Sequence, residues 1–408
     1  MTMSYVEKAE AYLKTFCSVK PDRSLGSPGN RKATNFFANT ISRFGYDVDM
    51  TPFPCIDYDS GDASLTVGGR SYTVRSSPFS HGCNVTAEVV ITSTVGDLKK
   101  CACKGKLLLL KGELCAEPLM PKNFKFYNPD SHRAIYALLE QKQPAAIITA
   151  TGKNPWAAGA VSPFPLITDG DFDIPSVYCD EATGNEIAAI AGAVFSLKST
   201  ARRIPSEACN VIARKNSHAG RKIIVCAHID AKKGTPGALD NASGTVVLLL
   251  LAELLQAYQG RPGLEIVAFN GEDHYSAGGE LDYLQRYTET LDDTVVAINV
   301  DSAGYTGHGI AYSFYGCPHE VRRAIKGSLG SSKSFVEGEQ WFQGDHSIFI
   351  QRGVPAIALI SENSTELVTY VTHTPADTPD LIDFRQLVET AETLARFLTS
   401  NSEIASGT

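Results

Sequence analysis

The sequence predicts an α/β fold: a mostly parallel mixed sheet with helices on both faces, interrupted by a smaller β-rich α+β insertion. Three observations carry this. Beyond residue 210, short apolar runs alternate with helix-length amphipathic stretches, the pattern of successive strand–helix units. Between 56 and 204 the texture changes to short alternating runs separated by glycine and serine. The apolar runs beyond 220 end near His, Asp or Glu, as strands do when an open sheet holds a site at its C-terminal edge.

Taken in order, 5–17 and 30–44 have helical spacing, and Ala33, Phe37, Ile41 and Phe44 share one face of the second. Arg23 to Arg31 (RSLGSPGNR) is a turn-rich loop between them, and 46–53 alternates as a strand. In the insertion, strands are expected at 63–67, 71–74, 85–91, 105–111, 144–151 and 174–178, with helices at 132–143 and 186–192. Strands at 222–227, 264–269, 295–300 and 355–360 then alternate with helices at 242–258, 277–288, 318–328 and 383–399. Residues 400–408 are expected to fray. The expected domains are 1–55 with 205–408, and an inserted 56–204.

A hydrophobic content of 43%, a charged content of 20% and a net charge of −8 describe a soluble globular chain and argue against nucleic acid or an anionic membrane as partner. No apolar run approaches the roughly 18 residues of a membrane span. The opening MTMSYVEKAEAYLKTF reads as an amphipathic helix rather than a secretory leader. Ten cysteines then read as thiols of a reducing compartment, the cytoplasm. Cys101 and Cys103 have no partner pair, so a structural zinc site is not expected there.

The chemistry gathers around 226–244, CAHIDAKKGTPGALDNASG. A β-branched run places His228 at a strand's C-terminal edge, and a helix expected from Leu239 to about Tyr258 places Asp240 beside it. A neutral imidazole and a carboxylate meeting there suit a divalent metal such as zinc. Asp230 projects to the same side as His228 and can accept a hydrogen bond from the other ring nitrogen. Lys232 and Lys233, between these groups, read as solvated, with contact to an acidic substrate the lesser alternative. The next strands deliver Glu272, Asp273 and His274, then Asp301, and the last leads to His373 and Asp377. Alone, each has a bland reading: Asp240 caps a helix, the acidic pair is a solvated turn, and His373 sits in a polar loop. Together they supply two histidines, several carboxylates and a spare acid at one sheet edge. That suffices for two metals about 3.5–4 Å apart, bridged by one carboxylate.

Six ordered motifs resemble a known family: HID at 228–230, GALDNASG at 237–244, GED at 271–273, NVDS at 299–302, GDHSIF at 344–349 and HTPADT at 373–378. The chain resembles the co-catalytic zinc aminopeptidases of the bacterial leucyl aminopeptidase type, whose relatives include glutamate carboxypeptidases and glutaminyl cyclases. Gly26 to Arg31 (GSPGNR) resembles their N-terminal segment, and the likeness spans about 5–55 and 205–400. Through GKLLLLKGELC, PAAIIT and IPSVY, 56–204 resembles a protease-associated domain.

The resemblance implies two Zn2+ per chain, with Mn2+ or Co2+ as substitutes. It implies that Asp240 bridges, that His228 and Asp301 complete one site, and that Asp273 and His373 complete the other. Glu272 is then the general base for a water held between the ions, and Asp230 orients His228. Asp345 and His346 are candidate substrate-binding residues. The chain departs from the family's usual pattern with Leu239 where a second acid often stands, and with Asp273 where Glu is usual. The implied substrate is a peptide with a free N-terminus; pairing of chains into a homo-oligomer stays open. The alternatives on this scaffold are a carboxypeptidase or dipeptidase, then a glutaminyl cyclase, then a non-catalytic binding relative.

Overall fold

A computed structural model describes residues 3–153, 160–329, 332 and 334–400. The chain divides into two compact units. One comprises Met1–Cys55, Glu207–Leu367 and Val371–Thr408; the other comprises Ile56–Ser206 with Val368–Tyr370.

The first unit is built on an eight-stranded mixed sheet. Its order is Asp47–Asp59, Arg202–Lys215, Gly263–Phe269, Lys222–His228, Thr294–Val300, Ala356–Ser361, Ile310–Tyr315 and Phe335–Glu337. The middle four strands run parallel, in registers such as His228 opposite Phe269 and Val300 opposite Leu359. Arg202–Lys215 and Ile310–Tyr315 flank them antiparallel. Gly263–Phe269 and Thr294–Val300 are buried at every position, as expected of strands covered on both faces.

The helix Gly244–Leu254 explains part of that cover. Its first nine residues, GTVVLLLLA, are all buried, so it is apolar all round and lies inside the unit. Val247, Leu250 and Leu251 join the core formed by Val225, Ile266 and Ile298 of the sheet and Leu394 and Phe397 of the helix Phe384–Ser400. That helix is amphipathic and buries one stripe only.

Two local expectations are corrected. The regular helix starts at Gly244, not at Leu239. Ahead of it, Asp240 (φ −108°, ψ 92°) and Asn241 (φ −131°, ψ 46°) leave helical geometry, and the peptide between them is cis. Gly244 lies so close to the neighbouring strand that a Cβ would meet Val300 O at 2.3 Å. The antiparallel strand Ile310–Tyr315 and its neighbour Phe335–Glu337 were not expected. Their runs are short, and flanking glycines hide the alternation.

The second unit has its own eight-stranded sheet, in which Cys83–Thr92, Leu107–Leu110, Ala146–Thr151 and Ser176–Asp180 run parallel. Leu107 and Leu109 pack into a cluster with Ile148 and Phe195, whereas Leu108 and Leu110 pack into another with Tyr136 and Leu139. The helix expected at 186–192 lies at Glu181–Ala188 instead. The Asp180 side chain caps it by accepting from Thr183 N at 2.7 Å, which sets the start earlier than the apolar spacing suggests. All ten cysteines are free thiols. Among the described residues, no helix is long and apolar enough to cross a membrane.

Candidate metal centre

Three adjacent parallel strands end together and deliver the constellation. His228 is the last residue of its strand, Asn270 to Asp273 follow Phe269, and Asp301 follows Val300. The Asp301 N–H donates to Leu359 O at 2.9 Å, which joins it to the fourth parallel strand. His373 arrives from beyond the helix Ser364–Tyr370. His373 and Ser302 hold left-handed backbone, with φ of 63° and 47°. Such a conformation costs a non-glycine residue about 1–2 kcal/mol, and strain of this kind gathers at functional sites.

The side chains form two overlapping trios. His228, Asp240 and Asp301 can each offer one ligand atom within 4.8 Å of the others, and so can Asp240, Asp273 and His373. Asp240 belongs to both. Its Oδ1 is 3.2 Å from His228 Nε2, and its Oδ2 is 3.1 Å from His373 Nε2. His373 Nε2 is also 3.0 Å from Asp273 Oδ1, and His228 Nε2 is 3.7 Å from Asp301 Oδ1. Glu272 stands outside both trios, its Oε2 3.9 Å from His228 Nε2.

The donors of each trio fit a metal cation. His228 is wholly buried, yet neither ring nitrogen has a hydrogen-bond partner, and His373 Nδ1 is buried in the same condition. Buried polar atoms without partners are rare, and imidazole nitrogens facing carboxylate oxygens are the donor set zinc takes.

The metal-free site is strongly perturbed. Burial alone would lower the His228 imidazolium, but Asp230, Asp240 and Asp301 raise it well above its usual range. Burial is likewise outweighed at His373, where Asp273 and Asp240 push the value up to about 10. Asp240 is held far below the carboxylate range: burial would raise it, but the two histidines prevail. Burial, with the charges of Asp273, Asp301 and Asp240, lifts Glu272 to about 8 against the weaker pull of His228. Asp377 rises to about 7 through burial and the charge of Asp240.

Glu272, His373 and Asp377 all hold their protons more tightly folded than unfolded, so their effects on stability share one sign. What they contribute is fully present below their ordinary values of 4.5, 6.5 and 3.8, and is lost as pH rises through about 8, 10 and 7. Metal-free protein is therefore expected to melt at progressively lower temperature from roughly pH 6 to 9. Zinc should oppose this trend, because histidine and carboxylate bind metal deprotonated. Calorimetry on chelator-treated and zinc-loaded protein checks both slopes. A flat metal-free profile would refute the assignment.

Several supporting residues were given no role by the sequence. Asp377, fully buried, accepts from Leu239 N at 2.7 Å and Asp240 N at 3.0 Å, which fixes the turn carrying the shared carboxylate. Asn241 Nδ2 donates to Val300 O at 2.9 Å and ties that turn to the strand before Asp301. Arg23 is only 1% exposed and holds the 229–237 loop. Its guanidinium donates to Ile229 O (3.0 Å), Phe16 O (3.2 Å), Pro236 O (2.7 Å) and Gly237 O (2.7 Å). Gly237 is required there: its φ is 59°, and a Cβ would meet Asp240 O at 2.5 Å. Asn270 Nδ2 reaches Asn30 Oδ1 at 3.1 Å and Cys209 O at 3.0 Å, anchoring the start of the Glu272 loop. Arg23 and Asn30 lie in or next to the turn-rich loop read in the sequence, and Asp377 lies in the HTPADT motif; those were their only signals.

Four sequence expectations change in detail. Asp230 Oδ1 is 3.7 Å from His228 Nδ1, too far for a hydrogen bond. The same oxygen accepts from Gly271 N at 2.7 Å, so Asp230 fixes the peptide leading into Glu272. Lys232, expected in solvent, stays 36% exposed but pairs with Asp273: its main-chain N–H donates to Asp273 Oδ2 at 3.1 Å, and its Nζ lies 3.4 Å from Asp273 Oδ1. His346 is fully buried rather than lining an open pocket. Its Nε2 donates to Trp341 O at 2.9 Å, and its Nδ1 faces Asn299 Nδ2 at 3.3 Å. Asp345 is equally buried, neither carboxyl oxygen has a partner, and burial raises it well above the usual carboxylate range. His274 Nδ1 lies 2.8 Å from Ser276 Oγ and serves its own turn.

Residues 210–398 match the model of Peptidase family M28. Leucine aminopeptidase 2 of Arthroderma otae is 22% identical over 399 residues, covering 88% of this chain and 72% of that protein. Among solved structures, a zinc aminopeptidase from Bacillus subtilis superposes with a TM-score of 0.74 at 20% identity, covering 98% of this chain and 96% of that one. An aminopeptidase from Aneurinibacillus sp. strain AM-1 gives 0.73 at 21% identity, covering 96% and 92%. The segment that matches the model of Peptidase family M28 holds all five candidate ligands and Glu272, and the fold is that of the zinc aminopeptidase structures.

Proposed function

We propose that this chain is a peptidase of family M28 that removes N-terminal residues from peptides with a free α-amine, using two zinc ions and Glu272 as general base. The observation that carries the reading is the division of Asp240, one oxygen toward each histidine. His228, Asp240 and Asp301 would hold one ion; Asp240, Asp273 and His373 would hold the other. Zinc held there supplies Lewis acidity to the attacking water and to the scissile carbonyl. Glu272 takes a proton from that water on its free carboxylate and returns one to the leaving amine. Burial keeps its basicity above that of an ordinary carboxylate, and metal held by the trios would favour its ionised form. Asp230, through the Gly271 peptide, keeps Glu272 in place for both transfers. The unit at 56–206 is read as a protease-associated-like domain, and the free thiols favour a cytoplasmic setting.

The test compares leucyl peptides with a free amine against the same peptides N-acetylated. Acetylation removes a charge-assisted contact worth about 1.5–3 kcal/mol, so kcat/KM is expected to fall roughly ten- to a hundredfold. Release of the C-terminal residue from the blocked peptide would instead identify a carboxypeptidase.

A further inference from the structure

We propose that Lys232 makes the two cation positions unequal, holding the Asp240–Asp273–His373 position as the weaker one; this rests on the two-zinc reading. Asp273 is committed to Lys232 through both carboxylate oxygens, Oδ2 to the main-chain N–H at 3.1 Å and Oδ1 to the ammonium at 3.4 Å. The ammonium also donates to Asp273 O, so it is held beside this one ligand, with 36% of the side chain still exposed. The same Oδ1 is 3.0 Å from His373 Nε2, so the lysine charge sits at the oxygen that this trio would offer a metal.

The other trio has no such neighbour. Among the described residues, neither Asp240 nor Asp301 makes an ion pair with lysine or arginine. The His228 trio is buried and the other is partly so, with the Asp273 side chain 4% and the His373 side chain 20% exposed, and there a fixed positive charge opposes a second one more strongly than in water. A divalent cation entering beside Asp273 must therefore share its carboxylate with Lys232, whereas one entering beside Asp301 meets a carboxylate that is not paired to a lysine or arginine among the described residues. The position with His228 fills first and empties last. The position with His373 is filled only as free zinc rises, so occupancy of the second ion follows supply.

The test is a competition titration of metal-stripped protein against a chromophoric zinc chelator. Wild-type protein should take up two ions, the second about tenfold or more weaker than the first. Lys232→Met keeps the main-chain N–H on Asp273 and the aliphatic stem, and removes the charge. It should strengthen the second step about tenfold or more and leave the first within about twofold. Lys232→Arg should retain the gap, and Lys232→Gln provides a second neutral variant if the methionine fails to fold. A wild-type plateau below two ions overturns the two-metal reading and this inference with it. A two-ion plateau whose second step is unmoved in the neutral variants overturns this inference alone, as would an equal shift of both steps.

Discussion

Glu272→Gln is expected to cut kcat by about 10²–10⁴-fold while zinc per chain stays at the wild-type level. Glutamine has the same shape but cannot take a proton, so the substitution separates base from ligand. Glu272 belongs to neither trio, and its Oε2 is 3.9 Å from His228 Nε2, so the metal donors should survive its neutralisation. Elemental analysis alongside steady-state kinetics decides the matter. Equal loss of zinc and activity would make Glu272 a ligand, and retained activity would remove it from the mechanism.

Asp240→Asn should act differently, emptying both positions together. Each oxygen of Asp240 serves a different histidine, and an amide offers one neutral acceptor in place of two charged ones. Activity should fall about 10³-fold or more, since a metal supplies several kcal/mol of transition-state stabilisation. Metal-free stability should fall as well, by about 3–5 kcal/mol, because the buried His228 and the partly buried His373 lose their common counter-charge. By contrast, Asp301→Asn and His373→Ala each touch one trio only. An Asp240→Asn protein that keeps one ion at wild-type affinity would show that the carboxylate is not shared.

The sheet and its loaded edge were readable because apolar runs report burial, and a run that stops at His228, Asp273 or Asp301 marks the C-terminal edge of a covered strand. What periodicity does not report is the partner of a side chain that crosses the fold. Asp230 sits two residues after His228, so local geometry favoured their pairing; the actual donor, Gly271, lies 41 residues away. Lys232 looked solvated for the same reason, since its partner Asp273 is reached only once two parallel strands are side by side. The helix start moved to Gly244 because Asp-Asn-Ala-Ser reads as a cap, while the real backbone bends to aim Asp240 at both histidines. His346 misled in the opposite direction: a polar ring near the sheet edge was used to hold Trp341.

The Arg23 clamp sets a lower limit on how much of the gene is needed. The peptidase match begins at residue 210, so an excised fragment 210–398 would keep every ligand yet lose the guanidinium that feeds four main-chain oxygens. Three of those oxygens, on Ile229, Pro236 and Gly237, would be left behind without that donor, at about 1–3 kcal/mol for each that stays buried. The opening segment, which holds none of the reactive groups, must therefore be inherited with the segment that holds them all.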